Sequence, residues 1–332
     1  FKMKGEYKNT SINIGVLITN LGTPNSPTKR DLKKYLNQFL MDKRVIDLPR
    51  FFWIPILKLI ILNIRPKKSA KLYKKIWTED GSPLMVFSKS IVDKLKVDSE
   101  KNITILLGMR YGTPSIENAL KTFKEKNISK ILVLPLYPQA GSPTTSSTFD
   151  VVNEHLKNSH WMPNLRFVSG YHDHDKYINA LMENIEKSFK KNGIPDLLLF
   201  SFHGMPQRYL EKGDPYYCFC HKTARLVSEG LDLDDNLYEV AFQSRFGSEK
   251  WLEPHIDRLL IEKARNGMEH IQIISPGFSV DCLETLEEIN IQYRELFMEN
   301  GGKQFEYIPC LNDTEMHIDL IKTMIDENIK IW

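Results

Sequence analysis

The chain has 332 residues, 42% hydrophobic and 26% charged, with both signs mixed along it and a formal net charge of only +3. A chain of that length can bury two substantial cores. Its charge balance excludes a nucleic-acid binder that works through a basic face, and no RNP-type, zinc-finger or helix-turn-helix signature is present.

The first apolar run, Ile14-Gly-Val-Leu-Ile18, predicts a strand near 12–20 that closes on Thr19-Asn-Leu-Gly-Thr-Pro24. Next comes Phe51-Phe-Trp-Ile-Pro-Ile-Leu-Lys-Leu-Ile-Ile-Leu-Asn-Ile64, apolar apart from Lys58 and Asn63 and followed at once by Arg65-Pro-Lys-Lys68. It is shorter than the roughly 18–20 residues that span a bilayer. Two readings fit it: a buried core helix, or an exposed apolar lip whose basic neighbours meet anionic headgroups. Three leading aromatics and an internal proline favour the lip.

Further strands are expected near 103–109, 130–137, 165–170, 197–202, 237–244, 271–276 and 305–309. Their runs are continuous rather than alternating, as in parallel strands covered on both faces. Segments 115–126 and 176–191 between them carry helical spacing, so the rhythm is βαβ and the class α/β, doubly wound. Leu107-Gly-Met-Arg-Tyr-Gly-Thr113 and Phe242-Gln-Ser-Arg-Phe-Gly-Ser248 occupy matching places in the two halves. Two similar lobes are therefore expected, 1–165 and 166–332, facing each other across a cleft lined by strand C-termini. The turn-rich chain at 160–175 marks the boundary.

Ser201-Phe-His-Gly-Met-Pro206 ends the apolar run Leu197–Phe202 as Thr19–Pro24 ends the first, but with a titratable residue. A histidine at a strand C-terminus takes up a proton or binds a borderline metal, or is simply structural. After the run Ile271–Ile274, the stretch Pro276–Ile289 places Glu284 and Glu288 on one helix face, with Asp281 a turn earlier. An acidic stripe there also suits the helix macrodipole. Facing His203 across a cleft, it would accept protons and pass a divalent cation inward. The hydroxyl-rich Leu136–Thr148 either holds an anion or caps a helix. His172-Asp-His-Asp175 reads as surface chain.

No G-x-G-x-x-G, G-x-x-x-x-G-K-[ST] or G-x-S-x-G occurs, which removes the main support for dehydrogenase, kinase and α/β-hydrolase readings. Cys218, Cys220, Cys282 and Cys310 lack C-x-x-C spacing, and nothing reads as a signal peptide. Reduced thiols in a cytoplasmic protein follow as the expectation.

Several separate motifs in order give the chain a resemblance to the ferrochelatase family over nearly its whole length. They are Gly15–Pro24, Pro135-Leu-Tyr-Pro-Gln139, Ser201–Pro206, Gln243-Ser-Arg245, Trp251-Leu and Pro276–Glu288. The resemblance implies two Rossmann-like lobes around a cleft, and insertion of Fe(II) into protoporphyrin with release of two protons, the last step of haem synthesis. Its invariant histidine falls on His203 and its essential glutamate on Glu284, which the resemblance makes the catalytic and metal-contacting pair. Glu288 matches its further helix carboxylate, Arg110-Tyr111 its porphyrin-contacting pair, and Tyr137 the tyrosine of its Tyr-Pro-Gln. Its membrane-facing lip corresponds to about 39–64. Phe242 and Trp251 are expected at the ring edge, and Lys43, Arg44, Arg110 or Ser82 at the propionates.

Two departures from relatives are informative. Where some hold a [2Fe–2S] cluster through an internal cysteine, this chain has about Ser142 and no Cys-rich tail, so no cluster and no permanently bound cofactor are expected, iron being substrate. Where coproporphyrin-using relatives place a tyrosine, this chain has Leu21, which favours protoporphyrin. A porphyrin carrier on the same scaffold, or a cobalt or nickel chelatase acting on a more polar tetrapyrrole, are the competing readings. The expected protein is a cytoplasmic monomer or homodimer, peripheral at most to the inner membrane.

Overall fold

The computed structural model describes residues 13–97 and 102–332. All eight expected strands form: β1 (Ile14–Gly22), β2 (Ile103–Tyr111), β3 (Lys130–Pro135), β4 (Asn164–Phe167), β5 (Leu197–His203), β6 (Tyr238–Gln243), β7 (His270–Ile274) and β8 (Gln304–Ile308). They make two four-stranded sheets in which every pairing is parallel. The order is β2-β1-β3-β4 in one and β6-β5-β7-β8 in the other, the same topology twice. In this order the chain reverses direction across the sheet beside the first strand. The crevices between β1 and β3 and between β5 and β7 are thus the switch points, where α/β sheets take ligands.

Helices cover both faces. The first lobe carries α1 (Lys29–Met41), α2 (Arg50–Pro55), α3 (Leu62–Ile76), α4 (Pro83–Val97), α5 (Ile116–Glu125) and α6 (Ser147–Lys157). Then follow α7 (Asp175–Asn192), α8 (Gln207–Glu211), α9 (Tyr216–Gly230), α10 (Ile256–Arg265), α11 (Arg294–Glu299) and α12 (Glu315–Ile329). Three π-helical stretches, Ile56–Ile61, Ser142–Ser146 and Glu284–Tyr293, run directly into α3, α6 and α11. Strands buried on both faces explain the continuous apolar runs: Val16, Leu17 and Ile18 in β1 and Leu198, Leu199 and Phe200 in β5 are fully buried. One hydrophobic cluster includes Val16 and Ile18 together with Leu198, Phe200 and Phe202, so the two lobes share a core. The expected division after residue 165 falls inside β4, which pairs with β3, and α7 already packs on α9 and α12. The crossing lies in the intervening residues 168–174.

The 51–64 segment is helical and two-faced. Trp53 and Leu57 pack with Tyr35, Leu36, Leu40 and Tyr111, and Trp53 Nε1 donates to the Leu40 carbonyl at 2.7 Å. The opposite face stands in solvent, with Phe51 71% and Leu59 73% exposed alongside Phe52, Ile60 and Ile64. A core helix and an exposed lip are thus the two sides of one element.

Candidate active site

His203 is the last residue of β5, at the second lobe's switch point. The turn after it is fixed by the neighbouring chain. Gly204 N–H donates to the Gln243 carbonyl at 2.6 Å, Leu252 N–H to the Met205 carbonyl at 2.9 Å, and Gln207 N–H to the Lys250 carbonyl at 2.9 Å. A Cβ on Gly204 would stand 2.6 Å from the Gln243 carbonyl oxygen and 3.2 Å from the Trp251 ring, so only glycine permits this approach. The His203 Nδ1 lies 2.7 Å from the Gly204 carbonyl. A carbonyl only accepts, so Nδ1 carries the hydrogen in the neutral ring and the lone pair is on Nε2, the basic atom.

The acidic residues follow β7, on the other side of the same crevice. Asp281 is buried and accepts from Tyr307 Oη at 2.5 Å, Asn312 Nδ2 at 2.7 Å and Thr285 Oγ1 at 3.0 Å, which anchors the start of the helix rather than serving the cleft. The next residues form π-helix, a geometry that recurs at functional sites, and Glu284, Glu287, Glu288 and Gln292 all reach one cavity wall. Glu288 is held by three donors: Gln243 Nε2 at 3.1 Å, Tyr293 Oη at 2.8 Å and Ser244 Oγ. Gln243 also donates to the Glu284 carbonyl at 3.1 Å and accepts from Ser201 Oγ at 2.7 Å, tying the histidine strand to the acidic helix. Glu287 accepts from Lys75 Nζ of the first lobe at 2.8 Å and from Gln292.

Glu284 sits among groups that feel its charge. Burial first, and Glu284 next after burial or nearly so, push the Tyr35 and Tyr73 hydroxyls and the Cys282 thiol well above their ordinary values. Burial draws the Arg65 guanidinium down while Glu284 pulls it back up. The two tyrosines and the thiol therefore stay neutral and Arg65 stays charged at neutral pH.

The space they enclose is a cleft of about 420 Å³ that continues into an inner chamber of about 140 Å³. Phe39, Pro143, His203, Gly204, Met205 and Glu284 line both parts. Six of the expected site residues meet here. His203, Glu284, Glu288 and Trp251 come from the second lobe, while Leu21 and Tyr137, at the ends of β1 and β3, come from the first.

The other six lie elsewhere, for reasons of topology. Arg110 and Tyr111 end β2 and Phe242 is in β6, the strands on the far side of each switch point. Arg110 pairs with Asp42 and donates from Nε to Ser147 Oγ at 2.6 Å, and the buried Tyr111 donates to Asp42 at 2.7 Å. Burial pushes the Asp42 carboxyl up, but Ser147, Arg110 and Tyr111 outweigh it and hold the group below its ordinary value. Phe242 is core, stacked on Tyr217 at 5.7 Å. Ser82 is buried and accepts from Thr23 Oγ1 at 2.9 Å. Lys43 and Arg44, together with Ser142, line an adjoining side cavity of about 620 Å³ that shares Asp47 and Tyr209 with the cleft, and Arg44 is paired with Asp150 at 2.7 Å.

Three lining residues escaped the sequence reading. Arg65, expected among the outward basic cluster, lines the cleft although it, like Lys67 and Lys68, is exposed. Glu287 lies off the Glu284/Glu288 face in α-helical spacing, and Gln292 lies beyond the acidic 276–289 stretch.

Twin parallel sheets with facing switch points, and a histidine set against a carboxylate helix between them, define a two-lobed metal chelatase. Among solved structures the chain is similar to SirB from Bacillus subtilis with Fe3+ (TM-score 0.58, 9% identity, 95% of each chain). It is also similar to CbiX of siroheme biosynthesis in denitrifying bacteria (TM-score 0.51, 12% identity, 94% of this chain and 98% of that one). The chain belongs to the ferrochelatase family, whose profile matches residues 13–329. It is 46% identical over its whole length to the ferrochelatase of Nitrosococcus oceani, covering 91% of that protein. It is 48% identical over 96% of its length to that of Hydrogenovibrio crunogenus, covering 86%. It is therefore an enzyme of the lyase class that inserts iron into protoporphyrin in haem biosynthesis.

Proposed function

We propose that His203 Nε2 accepts a pyrrole proton, while Glu284, its main chain held by Gln243, seats Fe(II) with the aid of Glu288 and relays the second proton. Two N–H protons leave as one divalent ion enters, so charge balances without a co-reactant. A planar macrocycle points its nitrogens at one another, and a cleft that bends it exposes the lone pairs, with the strain offset by binding at the remote ring edge. Leu21, Tyr137 and Trp251 are the ring contacts in this reading, and Leu21 favours protoporphyrin over coproporphyrin. Of the expected propionate partners, Ser82 and Arg110 are engaged in the wall. Arg65, which makes no ion pair among the described residues, is the guanidinium best placed to take a ring carboxylate. The observation that carries the reading is that His203 and Glu284 line both parts of one cleft.

The exposed face of Phe51, Phe52, Leu59 and Ile60 sits beside the cleft rim, where Leu48 and Trp53 line it. It fits a peripheral contact with a membrane surface through which a hydrophobic porphyrin passes, in a cytoplasmic enzyme. No helix among the described residues is long and apolar enough to cross a membrane. Ser142 offers a hydroxyl where a cluster requires thiolate, so in this reading the enzyme holds no [2Fe–2S] group and no permanent cofactor.

The test separates binding from chemistry. His203→Ala and Glu284→Gln are each expected to bind protoporphyrin like the parent, by fluorescence titration, and to lose iron insertion. Full turnover by the histidine variant would contradict the assignment.

A further inference from the structure

Glu284 is held from two sides, and the scheme above uses only one of them. Gln243, at the end of β6, grips its carbonyl. The other hold comes from Asn312, in the turn between β8 and α12 and outside the cleft lining. Asn312 grasps the segment that leads from β7 into the acidic helix. Its main-chain N–H donates to the Ser279 carbonyl at 2.9 Å. Its side-chain amide meets Asp281 twice: Oδ1 accepts from the Asp281 N–H at 2.8 Å, and Nδ2 donates to Asp281 Oδ2 at 2.7 Å. The other carboxylate oxygen of Asp281 accepts at 3.0 Å from Oγ1 of Thr285, the residue next to Glu284. Thr285 Oγ1 in turn accepts from the Cys282 N–H at 3.0 Å. Asn312, Asp281 and Thr285 are all buried, so water does not compete for these bonds. The position asks for asparagine on two counts. Its φ is +49°, in the left-handed region that asparagine tolerates. Only a primary amide sets a donor beside an acceptor, as the Asp281 N–H and carboxylate require; glutamine is a methylene longer, and aspartate would set carboxylate against carboxylate.

We propose that Asn312 is a positioning residue for iron insertion. Acting through Asp281 and Thr285, it fixes where the Glu284 carboxylate stands in the cleft. It lines neither part of the cleft itself, so its effect reaches the reacting atoms only through the turn that it clamps. The inference rests on the reading of Glu284 as the seat of Fe(II).

Asn312→Gly tests it, because glycine keeps the left-handed backbone without strain and removes only the two side-chain bonds. The variant should bind protoporphyrin with parental affinity, by fluorescence titration, which also counts the folded sites. Per site, kcat/KM for Fe(II) should fall about 10–100-fold, the scale on which groups behind a metal-contacting residue act, with a raised KM for Fe(II). A role confined to stability would lower the melting temperature and the number of sites and leave that KM alone. An unchanged KM for Fe(II), in a series where Glu284→Gln is inactive, would overturn the proposal while leaving the glutamate's role standing. Full turnover by Glu284→Gln would instead remove the reading on which it rests, and the proposal with it. Should Asn312→Gly not fold, the nearly isosteric Thr285→Val breaks the same chain one step closer to Glu284. A raised KM for Fe(II) with parental porphyrin affinity then supports the proposal, and a parental KM overturns it.

Discussion

Replacing Gly204 by alanine should damage the site without touching a charged group. The new Cβ would stand 2.6 Å from the Gln243 carbonyl oxygen, about an ångström inside ordinary contact distance. That carbonyl cannot retreat, since β6 is hydrogen-bonded to β5 along its length and Gln243 is 1% exposed. The Trp251 ring, 3.2 Å away on another side, is itself 5% exposed. The turn must therefore move, and it carries His203 and the carbonyl that fixes its tautomer. Overpacking of this kind costs about 1–3 kcal/mol of stability. An ångström of displacement at a reacting group costs on the order of a hundredfold in rate. Urea unfolding together with anaerobic iron insertion measures both. A variant that loses the expected stability yet keeps the parent's kcat would refute the claim that this turn positions the histidine, and parental stability would refute the steric argument itself.

Asp42→Asn leaves the half-buried Arg110 guanidinium without its anion and should cost about 1–3 kcal/mol, measured by urea unfolding. Because the folded carboxyl sits below its ordinary 3.8, the parent gains stability from it above that pH and loses it as pH falls further. The variant should show a shallower acid limb. His317 is fully buried, donates from Nδ1 to the Asn312 carbonyl, and is held down to about 4 from 6.5 by burial. It is neutral when folded, so stability should fall by roughly 3 kcal/mol as pH drops from 6.5 to 4 and the unfolded chain takes the proton. In His317→Asn that slope should disappear, and an unchanged slope would contradict the assignment. Changing Phe51 and Leu59 together to serine removes two side chains worth about 1.5–3 kcal/mol each on burial. Vesicle co-sedimentation should weaken sharply while insertion into detergent-dispersed porphyrin persists, and undiminished sedimentation would rule out the lip as the contact.

The central strands β1, β3, β5 and β7 were legible because they are buried on both faces and so read as unbroken apolar runs. The repeated Gly-Pro turns after β1 and β5 announced the doubled plan for the same reason that they shape the site: both strands end at a switch point. Strand order, by contrast, leaves no local trace. Arg110, Tyr111 and Phe242 sit at strand ends in sequence just as Leu21, Tyr137 and His203 do. Only the order β2-β1-β3 and β6-β5-β7 sends the first group behind the wall and the second into the cleft. Partners distant in sequence were equally invisible. Nothing near Arg110 suggests Asp42, 68 positions away, or near Ser82 suggests Thr23. The place of Arg65 on the cleft wall follows from which face of the lip helix packs on Tyr35 and Tyr111, a choice that a segment apolar all round does not declare.

The measurement that bears most directly on the central claim is anaerobic insertion of Fe(II) into protoporphyrin by the purified enzyme, followed by the porphyrin absorbance change. The His203→Ala variant and coproporphyrin would be run beside it. The account predicts turnover by the parent with preference for protoporphyrin, and none by the variant despite tight porphyrin binding. Tight binding with no insertion by the parent, or equal insertion by parent and variant, would contradict it.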